Sequence, residues 1–423
     1  MRILVVGGGA REHTLCWKLA GEAGIRQVVC APGNTGLSQI ARCVPVDIGD
    51  PSAVLSLVER EQIDLTVVGP EFPLTRGLAN VLAEAGHPVC GPTREAAELE
   101  SSKGFAKDLM ARHGVPTARY VICETASAAL DTLRSGRFGY PVVLKADGLA
   151  AGKGVVVAPD AASAEASVKH IMVDRRFGDA GARVLVEECL WGREASFFVL
   201  TDGARAAVLP SAQDHKRAFD EDQGPNTGGM GAFSPSPLID GAMAGRILDE
   251  IVFPTLHGMA AEGRPYRGFL YCGLMLTADG PKVIEFNARL GDPETQVILP
   301  ALGVELLPLL IDATCGRLAS GVCRVRPERH VGVVLASGGY PDRFETGHVI
   351  SGLDAAATLP NVMVFHAGTA QRGSDVVTSG GRVLTVVARG ADFASARERA
   401  YNAVSRVSFD QMHFRRDIAA SLS

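Results

Sequence analysis

The sequence lacks most features that mark secreted, membrane-spanning or nucleic-acid-binding proteins. Its nine cysteines are scattered, and no two are separated by the two-residue gap of common zinc and redox motifs. No window approaches the apolar stretch of about 20 residues that a membrane-spanning helix requires. A formal net charge of -5 gives no electrostatic footprint for DNA or RNA. We therefore expect a cytoplasmic protein with free thiols, no nucleic-acid or membrane partner, and only local positive sites.

The chain length predicts several domains. A chain of 423 residues is long for one hydrophobic core, and 47% apolar with 21% charged residues is typical of a globular protein. A short apolar run at the start breaks at three glycines and meets charged residues, which favours a buried strand over a signal peptide. Changes of pattern along the chain predict domains at 1–102, 103–327 and 328–423.

The first hundred residues alternate strand and helix patterns. The apolar strand candidates end in glycine or proline turns and are separated by helical segments. This order predicts an α/β, doubly wound domain with a parallel sheet covered on both faces. Ligands of such sheets bind at the carboxyl ends of the strands, which here carry the segments 7–13, 31–34 and 69–71.

A glycine-rich segment with two lysines predicts a phosphate site. Lys145 ends a strand candidate, and Gly148, Gly152 and Gly154 surround Lys153 before the next strand. Glycine lets the backbone approach an anion closely, while lysine supplies positive charge. The segment is not a P-loop, because no Ser or Thr follows Lys153. A hairpin whose glycines serve only turn geometry is the alternative.

The segment VIEFNARLGDPET is the most specific short pattern. If 283–289 is a strand, its period of two places Glu285, Asn287 and Arg289 on one face. Carboxylate and amide oxygens are ligands that magnesium prefers, and an arginine beside them would neutralise a transferring phosphoryl group. Asp292 follows in a Gly-Asp-Pro turn. The alternative is a solvated strand face followed by an ordinary turn.

Two glutamates flank the apolar turn in VEECLWGREAS. Glu187 and Glu194 could bind the adenine amine and ribose hydroxyls of a nucleotide, with backbone groups of Cys189 and Leu190 between them. Plain exposed acids are the alternative, and this short pattern alone favours it.

The connector 211–235 is rich in polar residues and glycine, and it looks too glycine-rich to pack tightly. A loop of that length inside a domain usually has a function. We interpret His215 in it as an orienting or hydrogen-bonding group, because no second histidine lies nearby to complete a metal site.

A dinucleotide-binding turn is a competing interpretation of the N-terminal glycines. Gly7 and Gly9 fit the first two positions of that fingerprint, but Glu12 stands where the third glycine belongs. The same glycines could still seat a phosphate at the N-terminus of the following helix.

Taken in order, these segments resemble the ATP-grasp fold and, within it, the phosphoribosylamine–glycine ligase (glycinamide ribonucleotide synthetase) family. The likeness runs from about residue 1 to 417 and rests on GGGAREH, GPEFPL, SKGFAKDLM, KADGLAAGKGVVV, PSAQDHKR, GPNTGGMGAFSP, GFLYCGLM, IEFNARLGDPETQ and SFDQMHFRRDI. Ala10, Phe233 and Leu290 depart from the usual family residues, and none of these departures removes a charge or a ligand.

The resemblance implies an N-terminal doubly wound domain, an ATP-grasp core with a mobile lid at about 119–190, and a β-rich C-terminal cap. It also implies a reaction in purine synthesis: ATP and glycine give glycyl phosphate and ADP, and 5-phosphoribosylamine then gives glycinamide ribonucleotide and phosphate. Implied cofactors are ATP with magnesium or manganese. We expect a monomer with transient contacts to neighbouring pathway enzymes.

The same resemblance implies roles for particular residues. Nucleotide contacts are implied for Lys103, Lys145, Gly152, Lys153, Gly154, Glu187, Glu188, Cys189, Leu190 and Glu194. Metal ligands are implied at Glu285 and Asn287, and catalytic roles at Asp214, Arg289 and Asp292. Contacts with glycine or phosphoribosylamine are implied for Gly8, Gly9, Glu71, Asp214, His215, Lys216 and Arg289.

Three rival functions remain at this stage. A carboxylase or formate-using transferase of the same fold would explain the magnesium pattern but not SAQDHKR, GPNTGGMG or HFRRDI. A dinucleotide-dependent oxidoreductase rests only on GGGA. A catalytically silent nucleotide-binding scaffold would be expected to have lost Glu285 or Arg289, and both are present.

Overall fold

The N-terminal part of the computed structural model, which describes residues 1–150 and 154–422, is a five-stranded parallel sheet between helices. The strand order is β3-β2-β1-β4-β5, which confirms the predicted doubly wound domain. Its elements are β1 (Arg2–Gly7), α1 (Ala10–Ala20), β2 (Gln27–Pro32), β3 (Arg42–Cys43), α2 (Pro51–Arg60), β4 (Leu65–Val68), α3 (Glu71–Thr75), α4 (Leu78–Glu84), β5 (Val89–Cys90) and α5 (Arg94–Ser101).

The alternation of side chains along β1 explains why both faces of this sheet are covered. Leu4 and Val6 belong to one hydrophobic core with α2 and α4, whereas Ile3 and Val5 belong to another with α1. A strand buried on both faces reads as an unbroken apolar run, as ILVV does here. The sheet thus holds the glycine turn after β1 at its carboxyl edge.

A second unit is a four-stranded antiparallel sheet with its own core, in the order β6-β9-β7-β8. Its helices pack on one face through Leu133, Ala164 and Ile171. The elements, with the helix that precedes them, are α6 (Lys103–Arg112), β6 (Tyr120–Cys123), α7 (Ala126–Arg134), β7 (Val142–Ala146), β8 (Val155–Ala158), α8 (Ala161–Val168), a π-helical turn (Lys169–Val173) and β9 (Val184–Glu188).

The central sheet has the order β17-β16-β10-β11-β18 and is antiparallel except for its last pair. This part of the chain comprises β10 (Arg193–Thr201), β11 (Ala206–Val208), β12 (Gln213–Asp214), β13 (Arg217–Phe219), β14 (Gln223–Asn226), β15 (Gly231–Ser234), α9 (Gly241–Ile247), a π-helical turn (Leu248–Val252), α10 (Phe253–Ala261), β16 (Gly268–Thr277), β17 (Gly280–Asn287), α11 (Thr295–Ala301), α12 (Leu306–Thr314) and β18 (Gly321–Val322).

The C-terminal part forms an antiparallel sheet with α14 packed against it. It contains β19 (Arg329–Ala336), α13 (Leu353–Ala357), β20 (Val362–His366), β21 (Thr369–Arg372), β22 (Asp375–Thr378), β23 (Arg382–Gly390) and α14 (Phe393–Val404). Short 3-10 turns lie at Leu37–Gln39, Gly178–Gly181, Asp220–Asp222 and Ala420–Leu422. Within the described residues no helix combines the length and apolar character needed to span a membrane.

The connector packs more tightly than the sequence suggested. β15 is buried and pairs with β19, so the C-terminal sheet runs in the order β12-β15-β19-β23-β20. Glycine permits this pairing, because a Cβ at Gly231 would lie only 2.7 Å from the carbonyl oxygen of Gly332. Since the connector supplies two strands of this sheet, the boundary proposed at 327/328 divides a sheet, and the three predicted domain limits stay predictions.

Candidate active site

The end of β17 presents the two predicted metal ligands on one face. Glu285 lies opposite Gly273 and Asn287 opposite Tyr271, two residues apart, so their side chains share a face. A bulge at Ile284 precedes them, and such bulges commonly re-aim side chains beside active sites. The strand ends at Asn287, not at 289 as predicted from the alternation. Arg289 therefore leaves the strand and takes its position from other contacts.

Glu285 lines a small cavity together with Glu194, Asp214 and Lys216. Burial opposes its charge, but the ammonium groups of Lys216 and Lys103 outweigh burial and hold the pKa of the Glu285 carboxyl below its usual range. The carboxylate therefore stays ionised at neutral pH. A half-buried, ionised carboxylate beside an amide oxygen on the same face fits a magnesium ion.

The candidate metal site offers few protein groups that could bind the ion. Among the described residues, no group of three or more His, Cys, Asp or Glu side chains is arranged to hold a metal ion. Magnesium usually takes one or two carboxylates and completes its octahedron with phosphate oxygens and water. A pair such as Glu285 and Asn287 would therefore depend on a bound nucleotide to complete the site.

Two lysines that were predicted to bind phosphate, Lys103 and Lys145, lie near Glu285 and come from different elements. Lys103 Nζ, at the start of α6, donates to the carbonyl oxygen of Gly148 at 2.9 Å. Lys145 Nζ, at the end of β7, donates to the carbonyl oxygen of Ile284 at 2.9 Å, directly beside Glu285. Burial lowers the pKa of Lys103, with Glu285 partly opposing the effect.

The glycine segment is only partly within the described residues. Gly148 has a φ of +153°, and a Cβ there would lie 2.6 Å from Cβ of Ala180, so the position requires glycine. Gly154 likewise has no room for a side chain, since its Cβ would lie 2.7 Å from Cβ of Ala150. Gly152 and Lys153 lie outside the described residues.

Glu187 uses its side chain differently from the expectation of an adenine contact. One oxygen lies 2.9 Å from Lys107 Nζ and 3.0 Å from Lys145 Nζ, and the side chain is buried. A contact of this residue with adenine would therefore come from its backbone. Sequence reasoning missed Lys107, although its spacing of four from Lys103 places both lysines on one face of α6.

The remaining predicted adenine residues follow along the end of β9. The Glu188 carboxylate accepts the Arg119 N–H at 2.9 Å and pairs with Arg119 Nε at 2.6 Å. Cys189 and Leu190 are half-buried and lead into the segment before β10. They therefore belong to the short segment that connects β9 of the four-stranded sheet with β10 of the central sheet.

Lys216 connects the predicted ribose residue with a predicted catalytic residue. Its Nζ lies 3.3 Å from Glu194 Oε2 and 3.3 Å from Asp214 Oδ1. Burial opposes the charge of Lys216, but Asp214 and its neighbours raise the pKa of the ammonium well above its usual range. The side chain of His215 points elsewhere, because its Nε2 accepts from the backbone N–H of Ala419 at 3.4 Å.

Arg289 is held between two carboxylates of the N-terminal domain. Its Nε lies 3.1 Å from Glu71 Oε2, and its Nη2 lies 2.7 Å from Glu100 Oε1. Burial opposes ionisation of Glu71, but Arg289 and Arg11 lower its pKa to about 2. Burial raises the pKa of Glu100 to about 7 despite Arg289. Sequence reasoning missed Glu100, whose only local signal is its place three residues before Lys103.

The glycine turn after β1 is closed by Glu12. The Gly9 N–H donates to Glu12 Oε2 at 2.7 Å, and Arg11 Nε pairs with Glu12 Oε1 at 2.6 Å. Gly8 packs against the next strand end, where a Cβ would lie 2.6 Å from the carbonyl oxygen of Gly33. Glu12, which replaces the third glycine of the dinucleotide-binding fingerprint, therefore stabilises this turn through the Gly9 N–H.

Asp292 connects the glycine turn with the C-terminal sheet. A Cβ at Gly9 would lie 3.6 Å from Asp292 Oδ2, and Arg382 Nη1 lies 3.5 Å from Asp292 Oδ1. The same Nη1 donates to the carbonyl oxygens of Gly228 and Asp292 at 2.6 and 2.5 Å. Burial opposes ionisation, but Arg382 and Arg11 keep the pKa of Asp292 below its usual range. Sequence reasoning missed Arg382, which comes from β23.

The site therefore brings buried lysines and arginines together with carboxylates and an amide side chain. Models of the phosphoribosylglycinamide synthetase N domain, ATP-grasp (A) domain and C domain match residues 1–100, 101–295 and 330–421. Together they cover most of the chain in the order that the resemblance predicted.

Relatives over the full length give the same result. The phosphoribosylamine–glycine ligase of Allochromatium vinosum is 51% identical over 421 residues, covering 99% of this chain and 98% of the relative. The crystal structure of that ligase from Thermotoga maritima is 34% identical with a TM-score of 0.86, covering 99% and 100%. A biotin carboxylase from Campylobacter jejuni, at 16% identity, a TM-score of 0.74 and 98% and 92% coverage, shares the fold alone. The chain therefore belongs to the phosphoribosylglycinamide synthetase family, and its fold is ATP-grasp.

Proposed function

We propose that the protein joins glycine to 5-phosphoribosylamine while ATP is cleaved to ADP and phosphate, and that the product is glycinamide ribonucleotide. The observation that carries the proposal is the convergence of three lysine ammonium groups, those of Lys103, Lys145 and Lys216, on the Glu285 carboxylate. Relatives that match the whole chain are named for this carbon–nitrogen ligase activity. The reaction belongs to purine synthesis.

In the first step, a carboxylate oxygen of glycine attacks the γ-phosphorus of ATP, and ADP leaves with the electron pair of the broken bond. The product is glycyl phosphate. Such a transfer depends mainly on positioning and on neutralising phosphate charge. Lys103 and Lys145 supply positive charge from two elements that meet at β17, and Arg289 lies beyond the end of that strand.

In the second step, the amine of phosphoribosylamine attacks the glycyl carbonyl carbon, and inorganic phosphate leaves. The amine loses one proton as the amide forms. We assign Gly8, Gly9 and Glu71 to phosphoribosylamine, because they lie at the carboxyl edge of the N-terminal sheet beside Arg289. No serine or cysteine nucleophile is required, since the phosphate itself is the leaving group.

We assign the rest of the predicted set around glycine and the acyl phosphate. Asp214 and Lys216 line the cavity beside Glu285. Asp292 lies next to Gly9 in the glycine-rich turn that follows β1. His215 orients the connector through its contact with Ala419 and need not touch substrate. In this assignment the nucleotide and the substrate glycine bind around Glu285, whereas phosphoribosylamine binds at the carboxyl edge of the N-terminal sheet.

Magnesium or manganese would be held by Glu285 and Asn287, and when bound it would neutralise phosphate charge during transfer. We assign the backbone at 187–190 to adenine and Glu194 to the ribose. The lid predicted at about 119–190 contains the glycine-rich segment 148–154, and it would close over the bound nucleotide. We further propose that the protein works in the cytoplasm as a monomer, with transient contacts to neighbouring pathway enzymes that handle labile phosphoribosylamine.

A substrate-omission assay tests the proposal. Purified protein is mixed with ATP, magnesium, glycine and freshly prepared phosphoribosylamine, and ADP release is followed by a coupled enzyme. We expect turnover only with the full mixture, and no turnover when bicarbonate or formate replaces glycine. No ADP above the control without glycine would contradict the proposal.

A further inference from the structure

Glu100 binds the turn that follows the candidate metal strand with both of its oxygens. Oε1 pairs with Arg289 Nη2 at 2.7 Å, and Oε2 accepts the backbone N–H of Ala288 at 2.6 Å. The residue lies in the last turn of α5. A carboxylate that binds a backbone N–H and the adjacent guanidinium fixes both the path of the chain and the orientation of the arginine.

The two carboxylates on Arg289 differ in their access to substrate. The Glu71 side chain is 30% exposed, whereas the Glu100 side chain is only 5% exposed. Glu71 can therefore contact a ligand directly. Glu100 lies behind the guanidinium, so any effect it has on the reaction must pass through Arg289 or the turn at Ala288.

The short junction after Glu100 holds other parts of the site. Ser102 Oγ and the Gly104 N–H both donate to Asp147 Oδ1, at 3.2 and 3.1 Å. Between them, Lys103 Nζ donates to the carbonyl oxygen of Gly148. Because these contacts come from consecutive residues, the junction ties the glycine segment and the Arg289 turn to one piece of backbone.

We propose that Glu100 is a positioning residue for the ligase reaction, which holds Arg289 and the end of β17 in the arrangement needed for phosphoryl transfer. The inference rests on the proposed function of this site. Glu100 itself touches no substrate. A displacement of about 1 Å in a catalytic group can cost about a hundredfold in rate, so the loss of this clamp should be visible in turnover.

Glu100→Gln is the first test, because the amide keeps an acceptor for the Ala288 N–H but removes the charge facing Arg289. We expect kcat to fall by about a hundredfold, while KM for ATP stays within about twofold of the native enzyme, since the nucleotide contacts are left in place. Glu100→Asp, which keeps the charge on a shorter side chain, should recover part of that loss. Glu98→Gln is the matched control, since Glu98 lies on the same helix but pairs with Arg264 away from the site.

A double-mutant cycle separates positioning from general stability. If Glu100 acts through Arg289, then Glu100→Gln should cause no further loss of kcat in an Arg289→Ala background. Undiminished kcat in Glu100→Gln, an equal loss in Glu98→Gln, or a full further loss in the Arg289→Ala background would each overturn the inference. If Glu100→Gln does not fold, Glu100→Asp is used in the same cycle. Failure of the proposed function differs from these outcomes, because the native enzyme would then lack glycine-dependent turnover.

Discussion

Lys145 and Glu187 form a buried ion pair of 3.0 Å between the neighbouring strands β7 and β9. The same glutamate oxygen lies 2.9 Å from Lys107 Nζ, and all three side chains are at most 5% exposed. One carboxylate therefore balances two buried ammonium groups. Glu187 positions a lysine that we assign to the nucleotide phosphates.

Glu187→Ala should lower the stability of the protein. The change leaves two buried lysines without their shared partner, and breaking a buried pair in this way costs on the order of 3 kcal/mol. Thermal unfolding followed by circular dichroism should show a clear fall in Tm. Glu188→Ala is the control, since its partner Arg119 is mostly exposed and such pairs contribute less than about 1 kcal/mol. Equal shifts in the two variants would contradict the role of Glu187.

Glu285→Ala should abolish turnover and leave the fold intact. The three lysines nearby keep other partners, so the lost carboxylate matters chiefly for the metal and the phosphates. We expect kcat to fall by at least about a hundredfold, with Tm close to that of the native protein. Manganese binding in the presence of ATP, measured by electron paramagnetic resonance, should weaken in parallel.

The control for that experiment is Asp279→Asn, at the exposed turn between β16 and β17, where the carboxylate pairs with Lys282. This variant should bind manganese and turn over as the native protein does. Retained activity in Glu285→Ala would remove the metal assignment, whatever the control shows.

Arg382→Ala should weaken the use of phosphoribosylamine. Arg382 Nη1 holds the carbonyl oxygens of Gly228 and Asp292, and Nε and Nη2 have no hydrogen-bond acceptor among the described residues. These donors suit a phosphate group. We expect kcat/KM for phosphoribosylamine to fall by about tenfold or more, with a smaller change in KM for ATP. Steady-state kinetics with each substrate varied in turn measure the difference.

Arg389→Ala provides the comparison for Arg382, because Arg389 lies on the same strand but pairs with Asn361 at the surface. It should leave all three Michaelis constants unchanged. An equal rise in KM for every substrate in Arg382→Ala would indicate a general loss of structure and contradict a specific contact.

Acid should destabilise the junction between α1 and β20. The backbone N–H of His366 donates to His13 Nδ1 at 2.9 Å, and burial, with His366 nearby, lowers the pKa of His13 to about 3. The unfolded chain takes up a proton below pH 6.5 that the folded chain does not, so stability is complete above that pH and is lost as pH falls. At pH 5 the loss is about 2 kcal/mol for such a histidine.

Melting curves at pH 7.5 and pH 5 test this. His13→Gln, whose amide oxygen can accept the same N–H, should show a smaller difference in Tm between the two pH values than the native protein. His170→Gln, at an exposed position, should show the native difference. A native-sized difference in His13→Gln would show that the titration occurs elsewhere.

Much of the fold could be predicted because its signals are local. The parallel sheet of the first hundred residues follows from apolar strand runs that end in glycine turns, and α2 begins where Asp50 and Pro51 provide an N-cap and a first-turn proline. The end of β17 was misplaced by two residues because alternation of side chains continues past Asn287, whereas backbone pairing stops there. Strand pairing depends on a partner that the local pattern does not reveal.

Contacts between residues that are distant in sequence were even harder to predict in the candidate site. The shared face of Glu285 and Asn287 could be predicted because they stand two residues apart in one strand. Arg382 and Glu100 were missed because they reach the site from β23 and α5, far along the chain from the turn they contact. Buried ion pairs between distant residues are set by tertiary packing, so no local spacing indicates them.

The central claim is that a carboxylate oxygen of glycine becomes bonded to phosphorus, and isotope transfer tests it most directly. Glycine labelled with oxygen-18 in its carboxylate is turned over with ATP, magnesium and phosphoribosylamine, and the released phosphate is analysed by mass spectrometry. The account predicts one labelled oxygen in each phosphate, because the bridging oxygen of glycyl phosphate leaves with it. Phosphate without label would contradict an acyl-phosphate intermediate and the assignment of this site.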